Sequence, residues 1–269
     1  MRRHGVLWGT ALAALLLSGC AATSPPAGTT ARSAMLPRQH PSVARIWVVT
    51  RHPRAYMARH FSPARLPAQV RAEIARAGAV SLPFHRLVVT RQFVRHATYR
   101  NVDIHTRVTD TFINIGHGYL EDRERIAVNS IPVALNLNLS YLGLLSVEHQ
   151  HIRERATFVH APMRLQQLTG LRPGVAHPLP RHTYRMTVRW SHRRTSDTCR
   201  AGRRYYPARR LLAQLPGRAL NLECTISRGG LVRSRNRVTY LTAYGIFLIL
   251  QRDTPAYTLR AKIVRIGAS

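Results

Sequence analysis

Apolar and polar residues alternate with period two over long parts of this chain, which is the signature of strands with one buried face. The clearest stretch runs Leu135, Leu137, Leu139, Tyr141, with Asn136, Asn138 and Ser140 between them. Tyr184, Met186, Val188 and Trp190 repeat it against Arg185 and Arg189. Leu220, Leu222, Cys224 and Ile226 alternate against Asn221, Glu223 and Thr225, and Arg228-Gly229-Gly230 then supplies a hairpin turn. Leu231 to Leu250 runs back, and its second half, YGIFLIL, is apolar on both faces and reads as a covered central strand. Strands are also expected at 43–50, 84–94, 107–115, 125–133 and 257–266. Gly116-His117-Gly118 reads as a turn.

Helical spacing is rare. Pro67 to Ala77 places Val70 and Ile74 four apart behind a proline and ends at Gly78. A shorter helix is expected from Pro207 to Leu215, stopped by Pro216-Gly217. The fold class expected is mainly β, with α+β as the variant: an antiparallel, sandwich-like sheet domain with one or two short helices. Arginines interrupt both strand faces, which disfavours a transmembrane barrel with its unbroken lipid-facing band.

The N-terminus reads differently. Arg2-Arg3 precede an apolar run too short to span a bilayer, and small residues lead to Cys20. Leu17-Ser18-Gly19-Cys20 resembles the lipobox of bacterial lipoprotein precursors. The resemblance covers about the first 23 residues. It implies cleavage before Cys20 and acylation of that cysteine, whose several acyl chains anchor stably. Ala21, where the enteric version of the family uses aspartate for inner-membrane retention, implies transfer to the outer membrane, with the inner membrane's outer leaflet as the alternative. The expected organisation is a signal peptide (1–19), a lipidated cysteine with a Pro-rich flexible linker (20–42), and a single periplasm-facing domain (43–269).

An exported chain changes the reading of the other two cysteines. Cys199 and Cys224 are expected to form a disulfide, with Cys199 on a loop pinned to the sheet by Cys224.

Charge sharpens the question of partners. The 269 residues carry 41 Lys and Arg against 11 Asp and Glu, a formal charge of +30. Lys262 is the only lysine. Such charge attracts polyanions, and arginine grips phosphate and carboxylate bidentately. The same composition also follows from GC-rich coding or an acidic habitat. Export disfavours nucleic acid. Arg233, Arg235 and Arg237 would form a row about 7 Å apart on a strand. Arg203, Arg204, Arg209 and Arg210 cluster beside Tyr205 and Tyr206, whose rings suit sugars.

No nucleophile elbow, zincin helix or phosphate loop is present in the sequence. Asp103, His105, Asp110 and His117 offer acid–base groups in one region. His149 and His151 would share a strand face and are weak metal candidates, with His160 or Glu148 as a third ligand. The expected function is therefore a lipid-anchored, non-catalytic envelope lipoprotein that binds an anionic polymer or lipid through its arginines. An accessory protein-interaction subunit of an envelope assembly is the second reading and an envelope enzyme the third. No cofactor is expected.

Overall fold

The computed structural model describes residues 44–97, 102–191 and 193–269. Cys20, the signal peptide and the linker 20–42 lie outside the described residues. Residues 40–269 form a unit with its own internal contacts.

Twelve long or medium strands account for the fold. They are β2 (Arg86–Ala97), β3 (Val102–Gly116), β4 (Tyr119–Val128), β5 (Ile131–Tyr141), β6 (Leu145–Arg153), β8 (Met163–Thr169), β9 (Thr183–Trp190), β10 (Arg193–Ala201), β12 (Arg218–Arg228), β13 (Leu231–Leu241), β14 (Ile246–Asp253) and β15 (Tyr257–Ala268). Each pairs antiparallel with its neighbours. The β10–β12 pairing joins the two ends of the sheet and closes it into a barrel. The mainly antiparallel β class is as expected, and the large sheet closes on itself instead of stacking as one half of a sandwich. Closure removes the exposed edges that an open sheet must protect. The two-residue β11 (Tyr206–Pro207) lies against β12. The equally short β1 (Ala44–Arg45) pairs with β7 (Phe158–Val159) outside the barrel.

Among the described residues no helix is long and apolar enough to cross a membrane. The outer wall carries exposed Arg107, Arg185, Arg189, Arg200 and Arg260. Each such arginine costs about 2–4 kcal/mol at a bilayer midplane, so this wall makes no lipid-facing band.

Three helices cover one side of the barrel: α1 (Ile46–Arg51), α2 (Pro53–His60) and α3 (Ala68–Ala77). The α3 helix matches the Val70/Ile74 spacing, and both side chains are buried. The segment 43–50 is a different matter. Only Ala44–Arg45 is strand, and Ile46 onward is helix despite its β-branched residues. Val49 is fully buried, and Thr50 Oγ1 donates to the Ile46 carbonyl one turn back at 3.1 Å. Tertiary packing overrides strand propensity here. The helix expected over 207–215 shrinks to a 3-10 turn, Ala208–Arg210, because Pro207 is held extended in β11. The single strand expected over 125–133 is two strands joined at Asn129-Ser130, both in the left-handed region. The return strand expected over 231–250 is likewise β13 and β14, joined by a turn.

The leucines of β5 face outward and are buried beneath the helical segment, whereas Asn136, Asn138 and Ser140 face the lumen. Hydrogen bonds show how the helices attach. Tyr141 donates its hydroxyl to the Gly78 carbonyl at 2.7 Å, and Glu148 Oε2 accepts from the Ser62 N–H at 2.9 Å. Strands β6 and β8 pair only through Glu148–Arg164 and His149–Met163. In the gap beyond, α3 stands in for a strand. Gln69 accepts from the Leu168 N–H at 3.0 Å and donates to the Leu168 carbonyl, and Glu73 accepts from the Leu171 N–H at 3.1 Å.

One end of the barrel is closed by its own turns. The Leu142 N–H donates to Gly118 and the Phe247 N–H to the Leu142 carbonyl, both at 2.9 Å. Gly143 makes that crossing possible: its φ is +69°, and a Cβ there would lie 2.8 Å from the Phe247 carbonyl oxygen.

Candidate functional site

The Cys199–Cys224 disulfide is formed. Cys199 belongs to strand β10 and not to a loop, and the two residues are direct partners in the pairing that closes the barrel. The bond is therefore a clasp across the seam.

The lumen holds the polar face that the sequence pattern seemed to offer to solvent. Its cavity is about 440 Å³, with Asp110, Asp122, Glu124, Asn136 and Asn138 on one wall and Phe93, Phe112, Phe247 and Leu259 among the rest. Arg91 Nε and Nη2 donate to the two oxygens of Asp110 at 3.0 and 2.9 Å, and Nη1 donates to the Ile249 carbonyl at 2.8 Å. Burial raises the Asp110 pKa to about 6, with Arg91 pulling the other way. Burial, with Asp110 and Glu124, holds Asp122 well above the ordinary carboxyl range.

Two parallel chains of hydrogen bonds cross from β4 to β6. Asn138 donates to Asp122 at 3.1 Å and its Oδ1 meets His149 Nδ1 at 2.7 Å; Asn136 donates to Glu124 and its Oδ1 meets His151 Nδ1 at 2.6 Å. Because an amide oxygen only accepts, each Nδ1 carries the proton. His149 and His151 thus share a face as expected, but as members of these chains. Glu148 points to the opposite side, where it holds Ser62 and Arg164, and His160 is exposed. Among the described residues no group of three metal-ligating side chains forms. The acid–base group also separates: Asp103 pairs with His96 at 3.0 Å, Asp110 faces the lumen, His105 is exposed, and His117 sits in the tight turn with φ 54°.

The two arginine groups are open surface. Arg233, Arg235 and Arg237 point outward from β13. Arg237 pairs with Glu223 at 2.9 Å, and Arg235 stands across from Asp253. Arg203, Arg204, Arg209 and Arg210 are exposed. The neighbouring tyrosines make contacts within the fold. Arg218 covers Tyr205, whose hydroxyl donates to Pro178 at 2.6 Å, and Tyr206 donates to Asn221 at 2.7 Å.

A third arginine group is concave. Arg51 from the end of α1, Arg54 from the start of α2, Arg86 from β2, and Arg123 and Arg125 from β4 converge on two adjoining hollows of about 680 and 280 Å³ that share Pro53, Arg123 and Arg125. Proline at the first helical position, no carboxylate in the first turn and no side-chain cap leave the α2 N-terminus open toward the groove. Arg123 Nε is buried with no hydrogen-bond partner. Burial lowers the pKa of Arg123, as do Arg86, Arg125 and Arg54, with Glu121 opposing. Guanidinium groups gathered this closely repel one another and fit an anion between them. Sequence reading missed this site because its residues come from four elements. The one local sign was Arg123 and Arg125 alternating on β4.

No family model matches the chain, and no curated protein matches it. Among solved structures it is similar to a β-barrel-like protein of the domain of unknown function DUF1849 from Brucella abortus. The identity is 9%, the TM-score 0.42, and the match covers 70% of this chain and 100% of that one.

Proposed function

We propose that the protein is a lipid-anchored envelope lipoprotein that binds an anionic envelope ligand, phosphate- or carboxylate-bearing, in the groove between α2 and strands β2 and β4. The observation that carries this is the buried, unpartnered Nε of Arg123 among four other arginines at an uncapped helix start. The distribution of acids supports it. Asp110, Asp122 and Glu124 face the lumen, and Glu73, Glu121 and Glu148 are buried, so few carboxylates remain outside to neutralise the arginines. The open rows on β13 and near Tyr205 add long-range attraction and little specificity, because exposed charges are screened within about 8 Å at physiological salt.

Titration of the unlipidated protein with polyphosphate and with an acidic polysaccharide, at low and physiological salt, tests this. Saturable binding at physiological salt is expected, weakened at least about tenfold in Arg123→Ala/Arg125→Ala, a loss matching one or more charge-assisted contacts. The Arg233/Arg235/Arg237 triple alanine variant is expected to lose only the salt-sensitive part. Equal binding by the groove variant and the wild type would refute the site. Incorporation of labelled palmitate, abolished in Cys20→Ser, tests the anchor.

A further inference from the structure

The end of the barrel opposite the plugged one has an unusual rim. Strands β3, β5, β8 and β13 begin there, and β4, β6 and β12 end there, as the antiparallel pairings require. Six large apolar side chains stand at this end: Val102, Ile131, Phe158, Met163, Leu231 and Val232, each 45–67% exposed. They are spread around the ring, on β3, β5, β7, β8 and β13, and do not gather into one patch. A protein partner's local interface would reach only one arc of such a ring. A flat, fluid surface reaches all of it.

The charge at this end matches one kind of flat surface. Arg153, Arg155, Arg193, Arg194, Arg228 and Arg233 are exposed among or beside these apolar residues. Of the carboxylates near them, Glu154 is exposed between Arg153 and Arg155, Asp103 is held by His96 at 3.0 Å, and Asp253 is partly buried and bonded to Gln251, so arginine stays in excess at this end. Of the cavity lining, Thr106, Ile126 and Leu259 lie toward this end. The chain also enters here: Ala44 pairs with Val159, and Arg45 with Phe158 of the rim.

We propose that this rim docks on an anionic lipid bilayer, with the apolar side chains entering the interfacial layer and the arginines meeting headgroup phosphates, so that the mouth of the barrel faces the membrane. Apolar side chains in the interface combined with attraction to anionic lipid is the ordinary physics of a peripheral membrane protein. The inference shares with the reading above only the envelope location, and it uses a different surface.

The test uses the chain from residue 20 onward with Cys20→Ser, so that no acyl chain contributes. Sedimentation with phosphatidylcholine vesicles is compared with and without phosphatidylglycerol. Binding to the anionic vesicles is expected, with at least a tenfold loss in Ile131→Ser/Leu231→Ser/Val232→Ser that persists at physiological salt. The same variant is expected to bind polyphosphate as the wild type does. Leu231→Trp is expected to shift its fluorescence to the blue on anionic vesicles, a readout that needs no loss of function. Equal sedimentation of the serine variant and the wild type would overturn the inference, as would no blue shift. Loss of vesicle binding only in Arg123→Ala/Arg125→Ala would move the membrane contact to the groove, and overturn it too.

Discussion

Cys199 and Cys224 face each other across the one strand pairing that turns an open sheet into a barrel. Their bond closes a loop with a sequence separation of 25. On chain entropy this stabilises the fold by roughly 3–4 kcal/mol. Reduction, or Cys199→Ser/Cys224→Ser, is expected to lower the denaturation free energy by about that amount. Amide exchange should rise first on β10 and β12. Unchanged stability after reduction would mean that the backbone ladder alone holds the seam.

Arg91 is the cation buried against Asp110, with Glu124 at 3.8 Å. Arg91→Met would leave Asp110 buried without its partner and is expected to cost about 3–5 kcal/mol. Arg91→Met/Asp110→Leu removes both charges and should recover much of that loss. Denaturant midpoints of the two variants decide whether the pair or its packing matters.

Asp197 faces inward from β10, with one oxygen buried and unpartnered, and burial raises its pKa to about 6. Its folded pKa lies above the unfolded one, so the folded state holds the extra proton between about pH 4 and 6. Stability from this group is therefore highest at the acid side of that window and falls as pH rises through it. Asp197→Asn is expected to flatten the decline and to raise stability at neutral pH by roughly 1–2 kcal/mol, after discounting for solvent at this partly exposed site. A stability profile over pH 3.5–7.5 for both proteins checks the sign.

At Gly143 a methyl group would meet the Phe247 carbonyl oxygen at 2.8 Å, on a backbone with φ +69°. Gly143→Ala is expected to destabilise by more than about 1 kcal/mol and to loosen the plugged end. Gly229→Asn, in the open hairpin turn where nothing lies within 4 Å, should be close to neutral. Thermal melts of the two variants make the comparison.

Much of the fold was legible because period-two alternation reports burial on one face whatever the partner. Leu135 to Tyr141, Tyr184 to Trp190 and Leu220 to Ile226 are strands as expected. So are the α3 spacing, the Gly229-Gly230 turn and the cysteine pair. Alternation does not say which face is inside. The leucines of β5 pack outward under helices, and its asparagines line the lumen. Segment 46–51 misled because its β-branched residues suit a strand locally, while burial of Val49 selects the helix. The candidate site was the least visible part. Arg54, Arg86 and Arg123 come from separate elements, and the sequence marked the adjacent arginines of β13 in preference.

The sequence by itself determined the antiparallel β character and the basic surface. These depend on residue type and local spacing. Only the tertiary structure decided closure into a barrel, which acids go inside, where the arginines become concave, and which strand ends share a rim. Those properties depend on register between residues far apart in the chain, and local spacing carries no information about that register.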